Sequence, residues 1–215
     1  MKKIRQHSIE ATIKNIGGLR VGGSDDLLQI GAVDLTVIKH PVTFKPYIPG
    51  SSLKGKLRSE LEKREGKFSG KDGNEPCNCG AEKCLVCRVF GPHKNTRHNL
   101  GPTRIIVRDA TLLEGGELEI KTENIIDRKT GTALHPRKVE RVASGSKWSL
   151  RMGIQELDLD QDCAYGSKKG GEALVEFLLD GLRYVQETGL GAGISKGYGE
   201  IVIEDLKVNG EPRQL

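Results

Sequence analysis

An apolar stripe of Ala173, Leu174, Phe177, Leu178, Leu182 and Val185 recurs at helical spacing between Glu172 and Glu187 and stops at Gly189. A helix with one such face must lay it against a partner layer, and the rest of the chain supplies strands for that layer. Ile9, Ala11 and Ile13 alternate with Glu10, Thr12 and Lys14, and Arg104 to Asp109 reads as a β-branched strand, while Gly31 to Ile38 is an apolar run in which Asp34 is the one acidic residue. Residues 117–155 read as one long hairpin or two, with Trp148, Leu150, Met152 and Ile154 marking a returning strand, and Glu200 to Val208 forms the last strand. A second helix is expected from Ser51 to Gly66. Pro49-Gly50 stops the preceding segment, Ser51 or Ser52 is a suitable N-cap, and Leu53, Leu57 and Leu61 return every fourth position. The collected order is β-α-β-β-α-β, an α+β fold with a ferredoxin-like or RRM-like core. One domain over 1–215 is expected, with insertions at 66–103 and 122–146.

The start of the first helix has anion-binding character. Uncapped N–H groups and the positive end of the helix dipole meet Lys54 and Arg58, which lie one turn apart on a common side. Gly50 to Lys56 spells the G-x-x-x-x-G-K of a P-loop, but Leu57 stands where the magnesium-ligating Ser or Thr belongs. Pro41 to Pro49 holds three prolines and so does not form the buried strand that a P-loop follows. A polymeric phosphate backbone therefore fits better than a nucleoside triphosphate.

Composition agrees. With 34 basic and 29 acidic residues the net charge is only +5, so a nucleic-acid surface must be a local patch. Aromatic residues make up 4%, which disfavours a platform that stacks many bases and favours one that grips backbone. No apolar run approaches the ~20 residues of a membrane span. Met1 to His7 is charged with no apolar stretch behind it, so no signal peptide is read and a cytoplasmic protein without a membrane partner is expected.

Cys77, Cys79, Cys84 and Cys87 fall within eleven residues as C-x-C-x4-C-x2-C. Such crowding without a secretion signal suits thiolates around a tetrahedral, structural Zn²⁺ better than disulfides. His93 is an alternative ligand, and His98 a weaker one. The surrounding loop, rich in Gly, Lys and Asp, offers little core of its own, and the lone Cys163 reads as a small buried or half-exposed residue.

The run Gly189-Leu190-Gly191-Ala192-Gly193-Ile194-Ser195-Lys196-Gly197-Tyr198-Gly199 demands sharp turns or close approach. It precedes a strand and is not a dinucleotide fingerprint. Lys196-Gly197-Tyr198-Gly199 opens like the RNP1 motif of RNA-recognition domains, yet Glu200 and Ile203 occupy the two stacking positions. Between Glu123 and Arg141 the chain is too polar to be core and is expected to project as a basic-edged finger.

Several of these segments jointly resemble one family. They are Gly18-Leu19-Arg20-Val21-Gly22-Gly23, Gly31-Ala32-Val33-Asp34, Ile48 to Arg58, Phe90-Gly91, Arg108-Asp109-Ala110, Glu123 to Arg128, Pro136 to Arg141 and the glycine loop. Together the chain is similar to the repeated backbone subunit of the type III-A CRISPR effector, the Csm complex, within the RAMP superfamily. The resemblance implies several copies lined along a guide RNA beside other Csm subunits, with the finger as a thumb that kinks guide and target RNA at regular intervals. It implies cleavage of the target RNA with Mg²⁺ or another divalent ion, and matches the responsible aspartate to Asp34. Guide contacts carry over to Arg20, Ser51, Lys54 and Arg58, and further to Arg128, Arg137 and Lys196. The cysteine loop departs from the family, so zinc rests on spacing. Two rival functions are a non-catalytic guide scaffold and a RAMP endonuclease that matures the guide with histidine. His7, His40, His93, His98 and His135 are scattered and form no convincing pair for the second.

Overall fold

The computed structural model describes residues 1–22 and 35–215. Asp34 and the first half of the Gly31 to Ile38 segment lie outside the described residues.

The sheet is built on β1 (Lys3–Asn15), whose alternate side chains His7, Ile9, Ile13 and Asn15 are buried. β8 (Lys147–Leu157) runs antiparallel beside it, placing Met152 opposite Ile9, Leu150 opposite Ala11 and Trp148 opposite Ile13. On the other side β11 (Ile201–Val208) is also antiparallel, with Ile203 opposite Ile13. Short edges complete the layer: β4 (Ile105–Val107) and β5 (Leu112–Glu114) pair with β8, and β12 (Glu211–Pro212) with β11. The strand order is β12-β11-β1-β8-β4, with β5 also on β8.

Two helices cover this sheet. α3 (Gly170–Thr188) buries the stripe read from sequence against β1, β8 and β11, and α1 (Gly50–Glu65) lies beside it and against β4. Leu53, Leu57 and Leu61 are 3%, 1% and 0% exposed, so all three spend their apolar surface in the shared core, each contributing about 1.5–3 kcal/mol. α1 ends at Gly66 in the left-handed conformation, with φ 61°, as the sequence implies.

Its start differs from expectation. The helix begins at Gly50, one residue earlier, and neither serine caps it. The cap comes from a distant carboxylate: Asp109 Oδ1 accepts the Gly50 N–H at 2.7 Å. Only glycine fits at 50, because a Cβ there would lie 2.6 Å from the Val107 carbonyl oxygen. Asp109, read as a strand residue, instead ties the helix start to the exit of β4.

Between the helices the chain makes two excursions. The first carries a two-residue ladder, β2 (Phe68–Ser69) with β3 (Glu75–Pro76), then α2 (Leu85–Phe90). Contrary to its polar composition this segment does feed the core, through Val86, Val89, Phe90 and Leu100. The second is the hairpin of β6 (Leu118–Ile126) and β7 (Ala133–Val142), which pair with each other in a separate sheet. β8 is therefore not the return of β6, as the period-two pattern suggested. Leu118 and Ile120 are 40% and 57% exposed, so their alternation marks a surface ribbon. A last small ladder, β9 (Ala164–Tyr165) with β10 (Lys168–Lys169), leads into α3.

One buried ionic group joins the first excursion to the sheet. Asp160 is fully buried and accepts from Arg104 Nε at 2.8 Å, Arg104 Nη2 at 2.8 Å, Arg88 Nη1 at 3.0 Å and the Leu157 N–H at 2.8 Å. Burial pushes its carboxyl up, but the Arg104, Leu157 and Arg88 hydrogen bonds outweigh that and leave it below the usual range. Among the described residues, no helix is long and apolar enough to cross a membrane.

Candidate functional site

The first group of candidate residues sits on α1. Ser51 is exposed in the first turn, and Lys54 and Arg58 are half-buried one and two turns on. Burial, and then the neighbouring Arg58 charge, push the Lys54 ammonium below its ordinary value. Lys54 has no ion-pair partner among the described residues and stands one turn from the helix end that the Asp109 carboxylate caps. Arg58 is differently placed: it donates from Nε to Glu62 Oε1 at 2.7 Å and from Nη2 to the Cys77 carbonyl at 2.8 Å. Its Nη1 has no partner among the described residues.

A second group gathers at the glycine loop. What approaches this loop closely is the chain's own backbone: the Ala192 N–H donates to the Arg20 carbonyl at 2.8 Å, and a Cβ at Gly191 would lie 2.3 Å from that oxygen. Arg20 is thereby fixed in position, while its Nε is buried without a partner. Beside it the middle of the β6–β7 hairpin is locked to the loop by Glu123. Its Oε2 accepts from Arg137 Nη2 at 2.7 Å and Lys196 Nζ at 3.1 Å, and its Oε1 accepts the Tyr198 hydroxyl at 2.7 Å. These bonds, that from Arg137 foremost, hold the Glu123 carboxyl down at about 2. Burial, and then the Glu123 carboxylate, push the Tyr198 hydroxyl up to about 12.

Tyr198 is buried, and its ring lies between Lys121 Nζ at 4.5 Å and the Arg141 guanidinium at 5.0 Å. The RNP1-like tyrosine is thus spent on internal cation–π contacts and cannot stack a base. Counting Glu119, which faces Arg141 at 2.6 Å, two carboxylates meet four cations, Lys121, Arg137, Arg141 and Lys196. The group keeps a net charge of +2 (four minus two), and Arg137 and Lys196 are 47% and 52% exposed. The family resemblance singled out Arg137 and Lys196 but not Glu123, which brings them together. Arg128 stands apart, exposed in the hairpin turn that Asp127 closes by accepting the Lys129 N–H at 2.7 Å.

The third group is sulfur. The Sγ atoms of Cys77, Cys79, Cys84 and Cys87 all lie within 4.8 Å of one another, with separations of 3.5 Å for Cys77–Cys87, 3.6 Å for Cys79–Cys87 and 3.6 Å for Cys77–Cys79. Sulfurs at the corners of a tetrahedron with Zn–S bonds of about 2.3 Å are about 3.8 Å apart, so this donor set fits a tetrahedral metal. Hydrogen bonding from Cys87 lowers the Cys84 thiol to about 5, which favours a thiolate there. His93 does not belong to this group; its backbone N–H donates to the Cys77 carbonyl at 3.0 Å. Cys163 is buried and unbonded.

The family described as the RAMP superfamily matches residues 12–202. A curated protein of Methanothermobacter thermautotrophicus, "CRISPR system Cms endoribonuclease Csm3", is 37% identical over 91% of this chain and 82% of its own length. Proteins of the same description from Methanocaldococcus jannaschii and Streptococcus thermophilus are 34% and 36% identical, over 96% and 92% of this chain and 82% and 86% of theirs. A crystal structure of a Csm3-Csm4 subcomplex of the type III-A CRISPR-Cas interference complex superposes with a TM-score of 0.56 at 25% identity, covering 97% of this chain and 80% of the other. A chain of the type III-B Cmr-beta complex bound to cognate target RNA gives a TM-score of 0.63 at 16% identity, over 95% and 61%, a likeness of fold. With the family matching most of its length and relatives above 30% identity covering nearly all of it, the chain belongs to the RAMP superfamily.

Proposed function

We propose that this chain is the repeated backbone subunit of a type III-A CRISPR effector, holding guide RNA and cutting the complementary target RNA at regular intervals. The observation that carries the proposal is identity of 34% to 37% to proteins described as Csm3 endoribonucleases over more than nine-tenths of the chain. In this reading the frame is ferredoxin-like, which the order β11-β1-β8-β4 and the two covering helices support. The cysteine tetrad holds a structural Zn²⁺, supported by sulfur separations near tetrahedral values and by free thiols suited to a reducing cytoplasm. The partners are guide RNA, target RNA, further copies of the chain and other Csm subunits.

Guide backbone lies along Ser51, Lys54 and the free edge of Arg58, with Arg20, Arg137 and Lys196 around the glycine loop and Arg128 at the hairpin tip. Phosphate contacts fix register without reading bases, so the target is chosen by pairing with the guide. At each kinked step a 2′-hydroxyl of the target attacks the adjacent phosphorus in line as the bond to the next nucleotide's 5′-oxygen breaks, leaving a 2′,3′-cyclic phosphate on one product and, after protonation by water, a 5′-hydroxyl on the other. The carboxylate of Asp34 orients that hydroxyl and takes up its proton. A divalent ion, when bound, would neutralise charge at the phosphate, and the Asp34 carboxylate is the group that would hold it.

The α1 contacts are tested by salt. Replacing Lys54 and Arg58 together by Ala should weaken guide binding and reduce the log–log salt slope by about two phosphate contacts, roughly 0.7 each on a single strand. A slope identical to wild type would remove α1 from the interface.

A further inference from the structure

We infer that the cysteine centre and the RNA-gripping face of α1 are energetically coupled through Glu62, so that metal and RNA each strengthen the binding of the other. This rests on the reading of α1 as an RNA contact. Glu62 lies one turn beyond Arg58, and its carboxylate is 4% exposed. Oε1 accepts from two places at once, Arg58 Nε at 2.7 Å and the Cys77 backbone N–H at 2.9 Å. Arg58 Nη2 donates to the carbonyl of that same Cys77 at 2.8 Å. The Glu62–Arg58 pair therefore grips Cys77 on both its N–H and its C=O.

Cys77 is also a member of the sulfur group, 3.5 Å from Cys87 and 3.6 Å from Cys79. Whatever fixes its sulfur fixes its backbone, and its backbone fixes the Arg58 guanidinium. Beside this link α1 and the β2–β3 ladder are separated by a crevice of about 270 Å³ lined by Arg58, Ser59, Glu62, Phe68 and Pro76. An arginine held in one rotamer before RNA arrives loses less freedom on binding, which raises affinity without a new contact. Two of its five N–H donors are used internally, and the Nη1 pair remains for a phosphate. Glu62 is thus a positioning residue. Coupling of this kind is reciprocal in binding free energy.

The test uses the full chain, Zn²⁺ as the metal and an unstructured single-stranded RNA as the probe. Stripping the metal from the wild type should weaken RNA binding about fivefold, and RNA should tighten Zn²⁺ binding by the same factor. Glu62→Ala should bind RNA weakly even when loaded, with little further loss on stripping, whereas Glu62→Gln keeps the acceptor and should behave as wild type. Equal losses on stripping in wild type and Glu62→Ala would overturn the coupling, since the metal loop would then act on RNA directly. No RNA binding by any form would overturn both this inference and the reading beneath it. Should Glu62→Ala not fold, the Arg58 Nε–H resonance of the wild type decides: it must shift and exchange faster on stripping, and an unchanged resonance overturns the inference.

Discussion

Replacing Asp34 by Ala in the assembled complex should lower target-RNA cleavage by at least about 100-fold, the lower end of what a positioned general base supplies. Guide retention and target binding should persist, because the proposed contacts of Ser51, Lys54, Arg58 and the cations around the glycine loop are left in place. Asp34→Asn sharpens the result: an amide keeps the volume and can still accept a hydrogen bond, but it cannot take up the 2′-hydroxyl proton, so it too should fail to cut. Gel analysis of products from a labelled complementary RNA reads both variants. Cleavage at the wild-type rate in either would leave the chain as a scaffold and return the reaction to another subunit.

Asp160→Ala should produce the largest loss of stability, about 3–5 kcal/mol, because it strands two guanidinium groups that share one carboxylate. Arg104 is fully buried and Arg88 nearly so, and among the described residues neither has a second acid as a hydrogen-bond partner. The pH dependence follows from the depressed carboxyl. Its contribution is complete above the ordinary value of 3.8 and disappears as pH falls through the lower folded value. Urea unfolding at neutral pH should therefore separate the variant from wild type widely, and the gap should narrow under strong acid. A neutral-pH difference below about 1 kcal/mol would mean that the loop is held to the sheet by Val86, Val89 and Phe90 instead.

The fold was legible wherever a pattern is local. The stripe of α3, the leucines of α1, the αL glycine at 66 and the four clustered cysteines each occupy one stretch of chain, and the structure keeps them. What escaped depends on distant partners. Ser51 and Ser52 are good capping residues, yet Asp109, 59 positions from Gly50, does the capping because β4 ends there. Arg104 looks like an ordinary strand-edge charge until Asp160, 56 residues later, buries it. Glu123 sits in a polar ribbon, and nothing in its own segment announces that Tyr198 and Lys196 meet it. Glu62 was the one organiser with a local signal, the i,i+4 spacing to Arg58, but that spacing usually marks a solvated surface pair. The proposed catalytic carboxylate, Asp34, was identified through family likeness alone.

In the proposed function this surface holds the sugar-phosphate thread of one RNA and presents a second, paired RNA for cutting. The most direct measurement purifies the assembled complex, asks whether RNA of discrete length comes with it, and then adds complementary and unrelated RNAs with magnesium. The account predicts a bound RNA of defined size and a ladder of evenly spaced products from the complementary strand only. A complex that carries no RNA, or that cuts both strands alike, would contradict it.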